Sequence, residues 1–149
     1  MKQLANQFFS LSAERRRVAF LFLAKRALDS WQIHFPKDSH FEYREAVTGS
    51  TQILEIDLPL NAIKEIESIT FDVSVTSHYR EPIAALQDGD LELPEQVEFA
   101  YYGIYNAHQL LRKSTSIKEE LILSQLLSAL QSGAAEQALH DAITCGEAY

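Results

Sequence analysis

Apolar positions recur at helical spacing along most of the chain, most clearly over residues 94–113, PEQVEFAYYGIYNAHQLLRK. Val97, Tyr101, Ile104, His108 and Leu111 fall three or four residues apart and make one stripe. Ala100, Gly103 and Ala107 lie beside it and predict close approach by another helix. Glycine inside a helix costs roughly 1 kcal/mol against alanine, so tight packing is the physical reason for Gly103. The opposite face carries Glu98, Tyr102, Tyr105, Gln109 and Arg112. Pro94 suits a first turn, Glu95 and Glu98 suit the positive end of the helix dipole, and Arg112 and Lys113 suit the negative end. The other helices are expected to pack on this one.

Lys2–Phe9 predicts a short helix held by Leu4, Phe8 and Phe9. Ser12 is a good N-cap for a second helix, which runs to about His34 and stops before Pro36. Val18, Leu21, Phe22, Leu28 and Trp31 form its expected core face, with Arg15, Arg16, Lys25, Arg26 and Asp29 in water. Near the other end, Ser116-Ile-Lys-Glu119 matches a capping box and predicts a helix through about Gln131. Ile117, Leu121, Leu123, Leu126, Leu127 and Leu130 make that helix apolar nearly all round. Gly133 marks a break. Ala134–Thr144 follows as a last helix, with Ala138, Leu139 and Ile143 turned inward.

Residues 36–76 are less regular. FEYREAV predicts the start of a helix that Gly49 stops. QILEIDL alternates as a strand does, up to Pro59. NAIKEIE fits a short helical turn capped by Asn61. Residues 68–76, SITFDVSVT, carry the best strand pattern, with Ile69, Phe71, Val73 and Val75 alternating against polar neighbours. The expected fold is mainly α: a single-domain helical bundle over residues 1–149, with a small β hairpin or sheet inserted around residues 52–76. An α+β arrangement and an all-helical reading of residues 40–67 remain alternatives.

Composition narrows the class. A chain of 149 residues that is 46% hydrophobic is long and apolar enough to bury a core. Its net charge of −8 argues against direct contact with nucleic acid as a main task. One cysteine, Cys145, excludes an intrachain disulfide and fits a reducing compartment. Arg15–Arg17 before the apolar run Val18–Ala24 superficially resembles an export signal. That run is seven residues long, and Lys25 and Arg26 end it. No membrane association is expected, and the cytoplasm is the expected compartment. The charge is also uneven: +4 over residues 1–39, −10 over 40–111 and −2 over 112–149.

Chemistry-bearing motifs are absent from the sequence. No two of the five histidines stand four residues apart, and no HExxH, G-x-S-x-G, P-loop or dinucleotide fingerprint occurs. Glu119–Glu120 and Glu65–Glu67 suit a solvent-facing surface better than acid/base pairs. No catalytic residue, cofactor or metal is therefore assigned, and a non-enzymatic binding protein is expected. The most distinctive electrostatic feature is EPIAALQDGDLELPEQVE, six acids from Glu81 to Glu98 without a lysine or arginine. It reads as a solvated loop with a turn at Asp88-Gly89, running into a helix N-terminus, or as a surface for a basic partner.

An acidic segment flowing into the aromatic helix FAYYGIYNA, in a small, cysteine-poor, mainly helical chain, resembles the immunity proteins of bacterial toxin–immunity systems. The resemblance covers about a quarter of the chain. It implies a cognate toxin domain, often a basic nuclease, neutralised by tight binding. On that reading Asp88, Asp90, Glu92, Glu95 and Glu98 steer the partner, while Tyr102 and Tyr105 anchor it. The sequence does not set the oligomeric state. Two other classes stay open. A secretion chaperone or adaptor would show an exposed apolar patch and dimerise. A small-molecule-binding protein or enzyme would have a pocket around Tyr101, Tyr105, Asn106 and His108.

Overall fold

Helical periodicity wins over most of the chain, and seven helices and one strand pair follow in order among the described residues. The computed structural model describes residues 1–68, 74–112 and 116–149, with residues 74–77 and 80 described in backbone only. Helix α1 (Lys2–Ser10) buries Phe8, whose ring meets Phe20 edge-on at 4.9 Å. Helix α2 (Ala13–His34) starts as expected, with the Ser12 hydroxyl accepting from the Arg15 N–H at 3.3 Å.

The buried face of α2 differs from the expected one. Phe20, Leu23, Ala24, Ala27, Leu28 and Trp31 are buried, whereas Val18, Leu21 and Phe22 are half-buried. The reason is that α2 packs on several helices, most extensively a central helix (residues 95–112, below) and the last helix, so its apolar arc is wide. That arc includes alanines, which carry little weight in a hydrophobicity pattern.

The hairpin lies earlier than expected. Strands β1 (Glu42–Arg44) and β2 (Thr51–Ile53) pair antiparallel, Glu42 opposite Ile53 and Arg44 opposite Thr51. FEYREAV is thus strand and turn, not helix: Tyr43 is buried between exposed Glu42 and Arg44, the alternation of a half-covered strand. The Glu45 carboxylate closes the loop by accepting from the Val47 and Thr48 N–H groups and from the Thr48 hydroxyl.

Helix α3 (Leu58–Glu67) has Pro59 in its first turn and Asp57, not Asn61, at its cap position. The strand expected over residues 68–76 falls partly outside the described residues, at 69–73. Its last three residues are helical and open α4 (Ser74–Asp88). Tyr79, Pro82 and Leu86 of α4 are buried at helical spacing. Pro82 lies inside the helix, where it removes the N–H that would reach the His78 carbonyl.

Helix α5 (Glu95–Arg112) is the central helix of the sequence reading. Val97, Tyr101, Ile104, His108 and Leu111 are all buried, and so are Ala100, Gly103 and Ala107. Pro94 stands just ahead of the first turn, its carbonyl accepting from the Glu98 N–H at 2.9 Å. Lys113 lies outside the described residues. Helix α6 (Glu119–Ser128) starts three residues after Ser116 and has no side-chain cap, so the capping box does not form. Ile122, Leu123 and Leu126 are buried while Leu121 is exposed. Gly133, at φ 88°, makes the turn into α7 (Ala135–Glu147), which buries Ala138, Leu139 and Ile143.

Helix α5 packs against α2, α3, α4 and α6, whereas α7 packs on α1, α2 and α6. Two helices, α2 and α5, therefore share the central role expected of one. The buried side chains form one continuous apolar cluster that draws on every helix and on Tyr43 of the hairpin.

Candidate partner-binding face

The acidic run divides between two elements. Its first half, Glu81–Asp88, belongs to α4, so the segment expected as loop is helical up to its turn. Gly89, at φ 81°, ends that helix, and buried Leu91 pins the connection by donating its N–H to the Ala85 carbonyl at 3.1 Å. Glu95 and Glu98 occupy the first turn of α5.

The seven residues expected to meet a partner are all at least partly exposed, but they do not form one row. Glu95, Glu98, Tyr102 and Tyr105 do, at successive spacings of three and four along α5. Glu95 is exposed and the other three are half-buried. Asp90 turns elsewhere: its carboxylate accepts from the Ala46 N–H at 3.2 Å, tying the α4–α5 connection to the hairpin loop. Asp88 and Glu92 are exposed.

Partial burial and neighbouring acids raise proton affinities in this region. Partial burial, and then the Asp90 carboxylate, raises the proton affinity of Glu81. Burial and Glu95 do the same to Glu98. Burial and Glu98 push the Tyr102 phenol upward. Among the described residues no lysine or arginine side chain meets Asp88, Asp90, Glu92, Glu95 or Glu98 in an ion pair. Cations elsewhere do find partners: Arg16 meets Glu119 at 3.1 Å and Lys25 meets Glu67 at 2.9 Å. Two cations of the basic first segment thus turn toward α6 and α3.

Tyr105 lies over Tyr79 of α4, ring centres 4.8 Å apart. Tyr79 in turn meets Tyr101 at 4.6 Å, and Tyr101 meets Trp31 at 5.1 Å. Trp31 donates its Nε1–H to the Ile56 carbonyl at 2.8 Å. The hydroxyls of Tyr79 and Tyr101 are buried without a hydrogen-bond partner among the described residues. Sequence reasoning placed Glu81 in the acidic run but missed Tyr79 as a member of this region. The signal was Tyr79-x-x-Pro82-x-x-x-Leu86, a helical spacing hidden by the strand-like residues before it.

The side chains of Tyr101, Tyr105, Asn106 and His108, expected to line one pocket, do not converge among the described residues. Tyr101 and Tyr105 face α4. Asn106 donates to Gln125 of α6 at 2.8 Å, and His108 meets Glu65 of α3 at 3.2 Å. Helix α5 sends these four side chains to four different neighbours, α2, α3, α4 and α6. No group of three metal-ligating side chains converges among the described residues.

Open clefts lie elsewhere. One, of about 890 Å³, is lined by Gln3, Gln7, Ser10, Arg15 and Glu147, between α1, α2 and α7. Another, of about 730 Å³, holds Lys37, Asp57 and Lys64 near the start of α3. Neither includes any of the seven residues. The large exposed apolar side chains Ile33, Val47, Ile53 and Leu121 lie on α2, the hairpin loop, β2 and α6. No helix among the described residues is long and apolar enough to cross a membrane. No known family model, no characterised protein and no solved structure matches the chain.

Proposed function

We propose that the chain is a non-enzymatic binding protein of the cytoplasm, and that the acidic face around the α4–α5 connection engages a basic surface of a protein partner. The observation that carries this reading is the unpaired state of that face. Asp88, Asp90, Glu92, Glu95 and Glu98 meet no lysine or arginine in an ion pair among the described residues, and partial burial, then the neighbouring Asp90 and Glu95 carboxylates, makes Glu81 and Glu98 hold their protons more tightly. Such a face is relieved by an opposite charge from outside. Tyr102 and Tyr105, half-buried on the same row of α5, supply rigid contact area beside it.

On this reading the partner is a basic toxin domain of the nuclease type, and the protein is its immunity protein. The support is the residue chemistry alone: an acidic, aromatic-edged surface suits a protein that covers a nucleic-acid-binding site by presenting the charge of its substrate.

The test is affinity capture of the tagged protein from its native cell, eluted with a salt gradient, beside a variant with Asp88, Asp90 and Glu92 changed to lysine. The expected result is one dominant basic protein, released at moderate salt and lost with the variant. That protein is expected to be toxic when expressed alone and harmless when co-expressed with this chain. Capture unchanged by the charge reversal would refute the assigned face. A captured partner that is harmless alone would refute the immunity reading and favour a chaperone or adaptor.

A further inference from the structure

Four charges share the cleft near the start of α3 without pairing. The cleft has a volume of about 730 Å³, within the range of small-ligand sites. Lys37 and Asp38 line it from the turn after α2, Asp57 and Lys64 from α3. Two cations and two anions thus meet one space, yet none of the four side chains makes an ion pair or hydrogen bond among the described residues. A lone cation or a lone anion entering the cleft would find its own sign on two of the four. A ligand that carries both signs suits it better.

The walls are held in place. The Ser39 N–H donates to the Pro36 carbonyl at 3.0 Å and closes the turn, with Asp38 at φ 67°. Glycine adopts that conformation most easily, so a carboxylate is carried there at a conformational cost. Trp31 Nε1–H holds the Ile56 carbonyl at 2.8 Å on the approach to α3. Buried Phe35 and half-buried Ile56 and Leu60 supply the apolar lining.

The spacing along α3 sets the length of a ligand. Leu60, Asn61 and Lys64 follow Asp57 by three, four and seven residues and line the cleft with it. At a rise of about 1.5 Å per residue, the two charged positions stand roughly 10 Å apart along the axis. About three residues of extended peptide cover that distance, at about 3.3 Å each. A free peptide of that length carries an ammonium at one end and a carboxylate at the other.

We propose that this cleft binds a short peptide, about three residues long, with both termini free. Asp57 takes the ammonium and Lys64 the carboxylate, while Phe35, Ile56 and Leu60 take an apolar central side chain. Lys37 and Asp38 add one charge of each sign from the turn. The inference goes beyond the acidic face, none of whose residues lines this cleft.

The test titrates the full chain by calorimetry at low salt with alanyl-leucyl-alanine, its N-acetyl form and its C-terminal amide. Blocking either end is expected to weaken binding to the parent chain roughly tenfold, the scale of one charge-assisted hydrogen bond. Lys64→Gln should bind the free peptide and its amide alike, and still discriminate against the acetylated form. Asp57→Asn should do the reverse. Glutamine suits a helix and asparagine suits a cap position, so both variants are expected to fold, which circular dichroism checks. Equal binding of all the probes to the parent, or binding of none, would overturn the proposal. So would a Lys64→Gln chain that still distinguishes the amide, or a folded variant that loses both preferences at once.

Discussion

Replacing Gly103 by alanine sets two effects of opposite sign against each other. Inside a helix, alanine is favoured over glycine by about 1 kcal/mol. Against this, the new Cβ would lie 2.8 Å from Leu126 Cδ2, 3.3 Å from its Cγ and 3.2 Å from its backbone nitrogen. Leu126 is fully buried, so its side chain has no solvent to swing into, and the short approach to its backbone requires α6 itself to move. Overpacking of this kind costs about 1–3 kcal/mol. The expected net result is a loss of about 1 kcal/mol, read by urea denaturation followed by circular dichroism.

A double-mutant cycle separates the two effects. Leu126→Ala alone costs about 2–5 kcal/mol through its cavity. In the Gly103→Ala/Leu126→Ala chain the new methyl meets space instead of Cγ and Cδ2, and the helix gains its preference for alanine. The double variant should therefore be more stable than the sum of the singles by about 1–2 kcal/mol. A stabilising Gly103→Ala, or single effects that add within about 0.5 kcal/mol, would refute the claim that the α5–α6 approach requires glycine.

Two further outcomes follow from the core and the acidic face. Trp31→Phe should cost about 2–4 kcal/mol in thermal or urea melts, since it leaves the Ile56 carbonyl without its indole donor and opens space beside Tyr101; a loss under about 0.5 kcal/mol would contradict that contact. Glu81→Gln/Glu98→Gln should be more stable than the parent at neutral pH, with the advantage shrinking as pH falls. Both carboxyls are raised by burial and then by neighbouring Asp90 and Glu95, so the folded chain holds protons the unfolded chain has released. Acidification through their folded pKa values therefore stabilises the parent, and the gain ends below the ordinary carboxylate value. Glu45 runs the other way, its pKa lowered chiefly by the Thr48 hydroxyl, but it is common to both chains and cancels in the difference. A pH-independent difference would remove the electrostatic argument.

The long helices were legible because one strong period governed them. The five stripe residues of α5 are all buried, and Ser12 caps α2 as its chemistry requires. Reading failed where short segments were decided by their surroundings. Ser74–Thr76 has β-branched character, yet the helix it opens gains its place by burying Tyr79, Pro82 and Leu86. FEYREAV has a helical composition, yet pairs with Thr51–Ile53 and sinks Tyr43. Ser116 has the right residue three positions on, yet α6 begins later. Of the candidate face, the charge was visible along the chain. The partition of that charge was not: Asp90 goes to the hairpin loop and to Glu81, while Glu95 and Glu98 stay with the tyrosines of α5. That follows from the turn at Gly89, which no periodicity contains.

The packing of α7 on α2 has a kinetic consequence. Residues 13–34 meet residues 135–147, so more than a hundred residues of chain separate the two sides of one of the largest helix contacts. Closing so long a loop slows the search for that contact, and slow, non-local pairings leave apolar surface open while they form. During synthesis α2 can find α3, and then α5 and α6, before α7 exists. Its remaining apolar flank stays bare until α7 is made, a period in which a second nascent copy or a chaperone can occupy it. Aggregation during expression should therefore track the rate at which α7 arrives and docks, even in variants whose final stability is unchanged.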